Sequence, residues 1–440
     1  MPSLDSLKRL AAEELIQLDE EGCDTAALKA LYEQAISLPP ARSRAQLERF
    51  FGSAAKCEPA PDFPYDEPSD LEGIRAARRK GPRRMAIDDA AIADRIEGAW
   101  LGRCAGCMLG KPVEGWTKQD IRALLEFAGE YPLADYFPQI KNPPEGMRAY
   151  HSKGNPCLRG NIRHSVRDDD TDYTLLGLHI MEAYGPDFTP ANVAAEWMGR
   201  LPFHRVYTAE RAAYRNLVDD IMPPESALVL NPYREWIGAQ IRCDGFAYCA
   251  PGWPEKAAEF AFRDAVVSHV KNGIYGEMFF AALIAACMAT VDLLEAIRIA
   301  RAEIPNKSRL AQAIDDTVRW CAKDADWETT WDRMNAKYGH YHPVHTINNA
   351  AIVLIGCLHA KGDLEKAICI SVMGGLDTDC NGATAGSVMG ALLGASAVPS
   401  KWSAPLRNTL HSSLEGMNVS KISDLTARTV KVAQRVLALS

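Results

Sequence analysis

Two acidic stretches of this 440-residue chain carry side chains whose types and spacing could do chemistry. One is Asp168-Asp169-Asp170-Thr171-Asp172, and the other is Gly374-Gly375-Leu376-Asp377-Thr378-Asp379-Cys380-Asn381. Carboxylate, hydroxyl and amide oxygens gathered in this way suit a hard divalent cation. A surface turn containing Asp-Thr-Asp is common, and carboxylates also favour a helix N-terminus, where free N–H groups and the macrodipole offset their charge. Four aspartates in five residues exceed what capping needs. Adjacent aspartates repel one another, so a cation shared by the two clusters would relieve both. A further carboxylate, Glu114, sits in Gly110-Lys111-Pro112-Val113-Glu114-Gly115-Trp116, fixed between a proline and a tryptophan and placed to project into a cleft. Three histidines, His340, His342 and His345, fall 2, 3 and 5 residues apart before and after a proline. That spacing does not match a helical i, i+4 metal pair, and a structural or substrate-contact role is expected, with His345 as the contact.

The elements that must position these groups read as helices. Gly382, Gly386, Gly390 and Gly394 recur every fourth residue, which on a helix makes one bare stripe. A glycine inside a helix costs about 1 kcal/mol relative to alanine, so such a run predicts close approach by another helix. Ile92, Ile96 and Trp100 lead into a second glycine-rich helix through Gly102, Gly106 and Gly110, with Asp88-Asp89 available as its cap. Residues 129–167 are irregular and rich in proline and aromatics, the character of a lid. Asn231 to Pro254 carries Tyr233, Trp236, Phe246, Tyr248 and Trp253 among glycines and prolines, and is expected to wall a pocket that stacks on a flat or sugar-like ligand, Tyr248 included. Sustained β alternation is missing, which makes the class mainly α. Residues 1–56 read as a helical appendage, 57–85 as a proline-rich and basic linker, and 86–440 as the domain that carries the chemistry.

Composition narrows the partners. The net charge of −8 argues against nucleic acid or another polyanion, and the basic run Arg75 to Arg84 reads as a solvated face. The longest apolar run, Met278 to Val291, has 14 residues, short of the roughly 20 that span a bilayer, so no membrane role is expected. Twelve scattered cysteines and a charged Met1 to Gly22 with no apolar core are the pattern of a cytoplasmic protein with free thiols. Cys104 and Cys107 read as small core residues. Nothing in the sequence specifies an oligomeric state.

Three motifs together resemble a known family. Gly102 and Gly106 through Leu109-Gly110-Lys111-Pro112-Val113-Glu114, then Asp169-Asp170-Thr171, then Gly374-Gly375-Leu376-Asp377-Thr378-Asp379 with its small-residue helix, are similar to the ADP-ribosylglycohydrolase family, which includes the DraG-type enzymes. The likeness spans about residues 96 to 402, and the last motif is its most specific part. Arg263-Asp264-Ala265 to Ser268-His269 resembles the family's mid-chain segment more weakly and brings in His269 as a substrate contact. The resemblance implies an all-α ADP-ribosylglycohydrolase-like fold, with the N-terminal helical appendage outside it. It also implies a glycosidase with two divalent cations, Mg²⁺ or Mn²⁺, which hold ribose hydroxyls and water while an N- or O-glycosidic bond at C1 breaks. Carried over by position, Asp168, Asp169, Asp170, Asp377 and Asp379 are the metal ligands, and Glu114, Asp170 and Asp379 the catalytic carboxylates, Glu114 as a general base or gate. Gly375 and Asn381 would lie against the substrate, a small ribosyl compound.

The chain departs from the pattern at several places. Asp168 stands where threonine is frequent, Cys107 where aspartate is, Asp172-Tyr173 where a small residue and methionine are, and Cys380 where threonine often completes a metal site. A thiol is a poor ligand for Mg²⁺, so Asn381, water or Mn²⁺ is expected to compensate. Three other readings stay open: a nucleoside-like or other small N-glycoside hydrolase, a Mg²⁺-dependent phosphatase using Asp-x-Asp, and a non-catalytic ligand-binding relative.

Overall fold

A computed structural model describes residues 2–439. Among them are twenty α-helices and one antiparallel two-stranded ribbon, Thr409–His411 with Val419–Lys421, in the register Thr409 to Lys421. The chain is all-α, as its periodicity predicts.

The centre is a pair of antiparallel helices, Ile92–Gly110 and Thr378–Leu393, whose backbones touch. A Cβ added to Gly106 would lie 1.9 Å from the carbonyl oxygen of Gly382, and one on Gly386 would lie 2.0 Å from that of Gly102. The two glycine stripes are thus each other's reason. Gly394 does not belong to the stripe: the helix ends at Leu393, and Gly394 caps it at φ 85°, a conformation that costs glycine nothing. Asp88 closes a turn by accepting from Ala90 N at 3.0 Å, and the helix proper begins at Ile92. Around this pair pack Lys271–Cys287, Thr346–His359, Leu364–Met373 and Ile422–Leu437. Lys271–Cys287 is buried on every side from Asn272 onward, which is why the apolar run has no polar face. No helix among the described residues is long and apolar enough to cross a membrane.

Helices Leu4–Glu20, Ala26–Ser37 and Pro40–Ala54 share a small core of Leu7, Ala11, Leu18, Leu28, Leu47 and Phe50. Leu4–Glu20 also presents buried polar groups to the rest of the chain. Arg234 bonds both oxygens of Glu14 at 2.9 Å and Glu21 at 2.8 Å, and Gln17 donates to Glu235 at 2.7 Å. Arg309 is held between Glu235 and Glu67, each at 2.7 Å. Residues 57–85 hold a short helix, Leu71–Ala77, whose Ile74 joins the main core. The basic run that follows is neutralised rather than free: Arg78 and Arg83 meet Glu303, each at 2.6 Å.

The aromatic tract expected to wall a pocket is divided: Tyr233 and Trp236 line a cavity with Phe203 and His342 that includes none of the acidic clusters, while Phe246 and Tyr248 lie in the interior. Residues 231–252 are all buried, and Tyr248 packs edge-on to Trp100 with ring centroids 5.4 Å apart. Small residues throughout the tract let it fill space between helices, which the density of aromatics alone did not reveal. Residues 129–167 carry neither helix nor strand. Tyr150 from that segment lies beside Trp116, centroids 6.2 Å apart, and the Arg148 guanidinium sits 4.6 Å above the Trp116 ring.

Candidate active site

Two helix N-termini carry the acidic clusters to one place. Asp168 caps Asp169–Tyr184, accepting from Asp170 N at 3.0 Å, and Asp377 stands at the N-cap position of Thr378–Leu393. Cys380 Sγ, from the first turn of the second helix, donates to Asp170 Oδ2 at 3.1 Å. Ligand atoms of Asp170, Asp379 and Cys380 all lie within 4.8 Å of one another, and so do those of Glu114, Asp377 and Asp379. Asp379 is common to both groups.

The third contribution, Glu114, arrives through backbone pairing. Gly115 N donates to Leu376 O at 2.9 Å and Leu376 N to Trp116 O at 3.0 Å, so the Lys111–Trp116 segment is stitched to the turn before Asp377. That turn needs left-handed backbone at Gly375 (φ 77°) and Leu376 (φ 63°). A Cβ on Gly375 would also meet Trp116 O at 2.7 Å, which ties this glycine to close approach of the two segments. Thr378 Oγ1 donates to Gly110 O at 2.8 Å and locks the ends of the glycine helices together.

Charge is unbalanced in this group. Lys111 pairs with Asp168, and Arg103, fully buried, bonds Asp170 Oδ1 at 3.1 Å and Asp170 O at 2.9 Å while pairing with Asp244 at 2.8 Å. Asp172 is turned aside, held by Arg167 at 2.8 Å and by Ser413 N at 2.9 Å. Two cationic side chains therefore face six carboxylates, those of Glu114, Asp168, Asp169, Asp170, Asp377 and Asp379. Burial opposes the charge on Asp168, but Lys111 holds it below the ordinary carboxylate range. Burial, then the neighbouring carboxylates, pushes Asp169, Asp170 and Asp377 well above it. Asp379 is pushed up to about 8 by burial and next by Glu114 and Asp168, and Glu114, on the exposed rim, is raised by loss of water and by Asp168. Asp379 Oδ1 and Asn381 Oδ1 are buried without a hydrogen-bond partner. Missing positive charge and unpaired oxygens are what a divalent cation fits.

Of the residues picked out in the sequence, Glu114, Asp168, Asp169, Asp170, Gly375, Asp377, Asp379 and Asn381 lie at this junction. Tyr248, His269 and His345 do not. Tyr248 Oη meets Ser387 Oγ at 2.6 Å and Asp244 at 3.2 Å, behind Arg103. His269, 1% exposed, meets Ser268 Oγ at 2.8 Å, and burial, then Arg242, pushes its imidazole well down and keeps it neutral. His345 caps Thr346–His359 by accepting from Ile347 N at 3.2 Å, and burial pushes it down to about 3. These three side chains pack the interior instead of facing the acidic group.

Two residues that matter here were not singled out by the sequence. Arg103 is the one charge on the buried face of a glycine-rich helix, and that position was its signal. Asn349, in the first turn of an apolar helix, accepts from Asn381 Nδ2 at 2.8 Å and Asp377 N at 3.3 Å, and donates to His345 O at 2.8 Å. The histidine segment thus reaches the junction through an asparagine.

Comparison with known proteins adds three findings. The sequence model of a family described as ADP-ribosylglycohydrolase matches residues 88–435. Among curated proteins there is no match. A solved structure titled "ADP-ribosylglycohydrolase-related protein complex" is 18% identical, with 78% of this chain and 99% of that one covered, at a TM-score of 0.46.

Proposed function

The chain belongs to the ADP-ribosylglycohydrolase family, a family of hydrolases, and on that premise we propose that it hydrolyses the glycosidic bond at C1 of a ribosyl group in a small ribosyl-containing substrate. The observation that carries this reading is the meeting of Glu114, Asp170, Asp377 and Asp379 at two helix N-termini.

Two divalent cations held by Asp168, Asp169, Asp170, Asp377 and Asp379 would supply Lewis-acid charge and a water of lowered pKa. The protein's own part is positioning and proton handling. Glu114 stands on the exposed rim, its pKa raised by loss of water and by Asp168, and from there it can take a proton from an attacking water. Asp170 and Asp379 lie deeper and, with cations offsetting their mutual repulsion, would present negative charge to the oxocarbenium-like state that forms as the C1 bond opens. Asn381 is held by Asn349 through its amide nitrogen, which leaves Oδ1 to meet a ligand hydroxyl. Lys111 and Arg103 fix Asp168 and Asp170 in place.

The test is a product screen. Purified protein with Mg²⁺ or Mn²⁺ is incubated with ADP-ribosylated peptide, ADP-ribose derivatives and nucleoside-like N-ribosides, with EDTA as control. Release of ADP-ribose or ribose that EDTA stops is the expected result. Release of inorganic phosphate instead, or ligand binding with no product across the panel, overturns the reading.

A further inference from the structure

The two ligand groups at the junction are not chemically alike. Glu114, Asp377 and Asp379 offer oxygen only, the donor set of a hard ion. Asp170, Asp379 and Cys380 offer two carboxylates and a sulfur. Resting on the reading that this junction holds cations, we propose that Cys380 is itself a metal ligand and that its position takes a transition ion of Zn²⁺ or Co²⁺ character in preference to Mg²⁺.

Geometry supports this. Metal bonds of about 2.0–2.2 Å to oxygen and about 2.3 Å to sulfur place an oxygen and a sulfur on one ion roughly 3.1 Å apart at a right angle and roughly 3.6 Å apart at the tetrahedral angle. Cys380 Sγ and Asp170 Oδ2 are 3.1 Å apart. Asp379 Oδ1, on a residue only 4% exposed, has no protein partner within the same group. Cys243 gives the contrast. Its sulfur is 3.3 Å from Asp244 Oδ2, yet Asp244 is paired with Arg103 and, among the described residues, no other carboxylate gathers with that thiol.

Chemistry fixes the class of ion. Thiolate is a soft donor that favours zinc and its neighbours, whereas Mg²⁺ demands oxygen. Coordination removes the thiol proton to solvent, as a bound divalent ion does to a coordinating cysteine, and ends its donation to Asp170. One position would then be held by oxygen alone and the other by oxygen and sulfur, with Asp379 available to both.

The experiment uses the full chain, stripped with EDTA, dialysed and titrated with Co²⁺ alone. A near-ultraviolet thiolate-to-cobalt charge-transfer band that saturates with bound cobalt is expected. Cys380→Thr should still bind cobalt but lose the band, and Cys107→Ser should keep it. Mg²⁺ should displace the ion from Cys380→Thr at an excess about tenfold lower than from the parent. Cobalt binding without a band in the parent overturns the inference while leaving the cation site standing. A band that survives in Cys380→Thr also overturns it. Failure of the parent to bind any divalent ion overturns the metal reading of the site as well. The parent spectrum decides the matter even if the threonine variant does not fold.

Discussion

Gly106→Ala tests the claim that backbone contact between the two glycine helices builds the site. The added methyl would lie 1.9 Å from Gly382 O and 2.4 Å from Gly382 C. Ordinary contact begins at 3.4 Å, so the helices must part by about 1.5 Å, because a backbone carbonyl cannot swing aside as a side chain can. Overpacking of this kind costs about 1–3 kcal/mol, and a gap of an ångström along the rest of the seam forfeits a quarter to a half of each contact. Alanine returns about 1 kcal/mol of helix propensity. A net loss of about 1–2 kcal/mol, and more as the seam's contacts are forfeited, is expected by urea denaturation followed by circular dichroism. Parting also breaks the Thr378–Gly110 hydrogen bond and draws Asp379 away from Asp170, so cation affinity should fall as well. The controls are Gly52→Ala and Gly199→Ala, helical positions where a Cβ would meet nothing within 4 Å, which should be neutral or stabilising by up to about 1 kcal/mol. Equal stability of Gly106→Ala and Gly199→Ala would refute the reasoning.

Asp377→Ala and Asp170→Ala should abolish turnover and lower bound metal, read by elemental analysis, while far-ultraviolet circular dichroism stays helical; full activity in either contradicts the ligand roles. Glu114→Gln should slow turnover by about 10²–10⁴ with metal content unchanged, and wild-type kinetics would return Glu114 to the solvent surface. Arg103→Met leaves Asp170 and Asp244 buried without their counter-charge and should cost about 3–5 kcal/mol, part of it recovered by adding Asp244→Asn. The metal-free protein should lose stability as pH rises from 7 to 8. Asp379 moves from 3.8 to about 8 on folding, so between those values the folded state binds a proton that the unfolded chain does not. Asp169, Asp170 and Asp377 act in the same direction, and Asp168 opposes them only at acid pH. Buried, neutral His269 and His345 act the other way below about pH 6.5, so the expected result is a melting temperature that falls from pH 7 to pH 8 without metal and flattens when metal is added; a rise over that range contradicts it.

Much of the site was legible because its parts carry strong local signals. Gly382, Gly386 and Gly390 at helical spacing announce a backbone contact, and aspartates too crowded for capping announce a missing cation. The partner stripe was visible in the same way through Gly102, Gly106 and Gly110. What the sequence hid was long-range pairing. Lys111 meets an aspartate 57 positions away and Arg103 one 67 away, and nothing near either residue encodes the partner. Tyr248, His269 and His345 misled for the opposite reason: chemically versatile side chains beside glycine and proline look the same in a sequence whether they line a cleft or fill an interior. Asn349 carries no such signal, because Asn348-Asn349 at the start of an apolar helix is ordinary sequence for a helix end.

The clasp that holds Arg234 and Arg309 has a consequence for where this protein can be cut. Both arginines belong to the stretch shared with relatives, residues 88–435, while Glu14, Glu21 and Glu67 lie ahead of it. A truncation placed where the likeness begins would strip those arginines of carboxylates that they meet out of water, and would uncover Ile74's side of the core. Cutting at residue 88 is therefore expected to cost stability, and expression trials should keep the N-terminal helices.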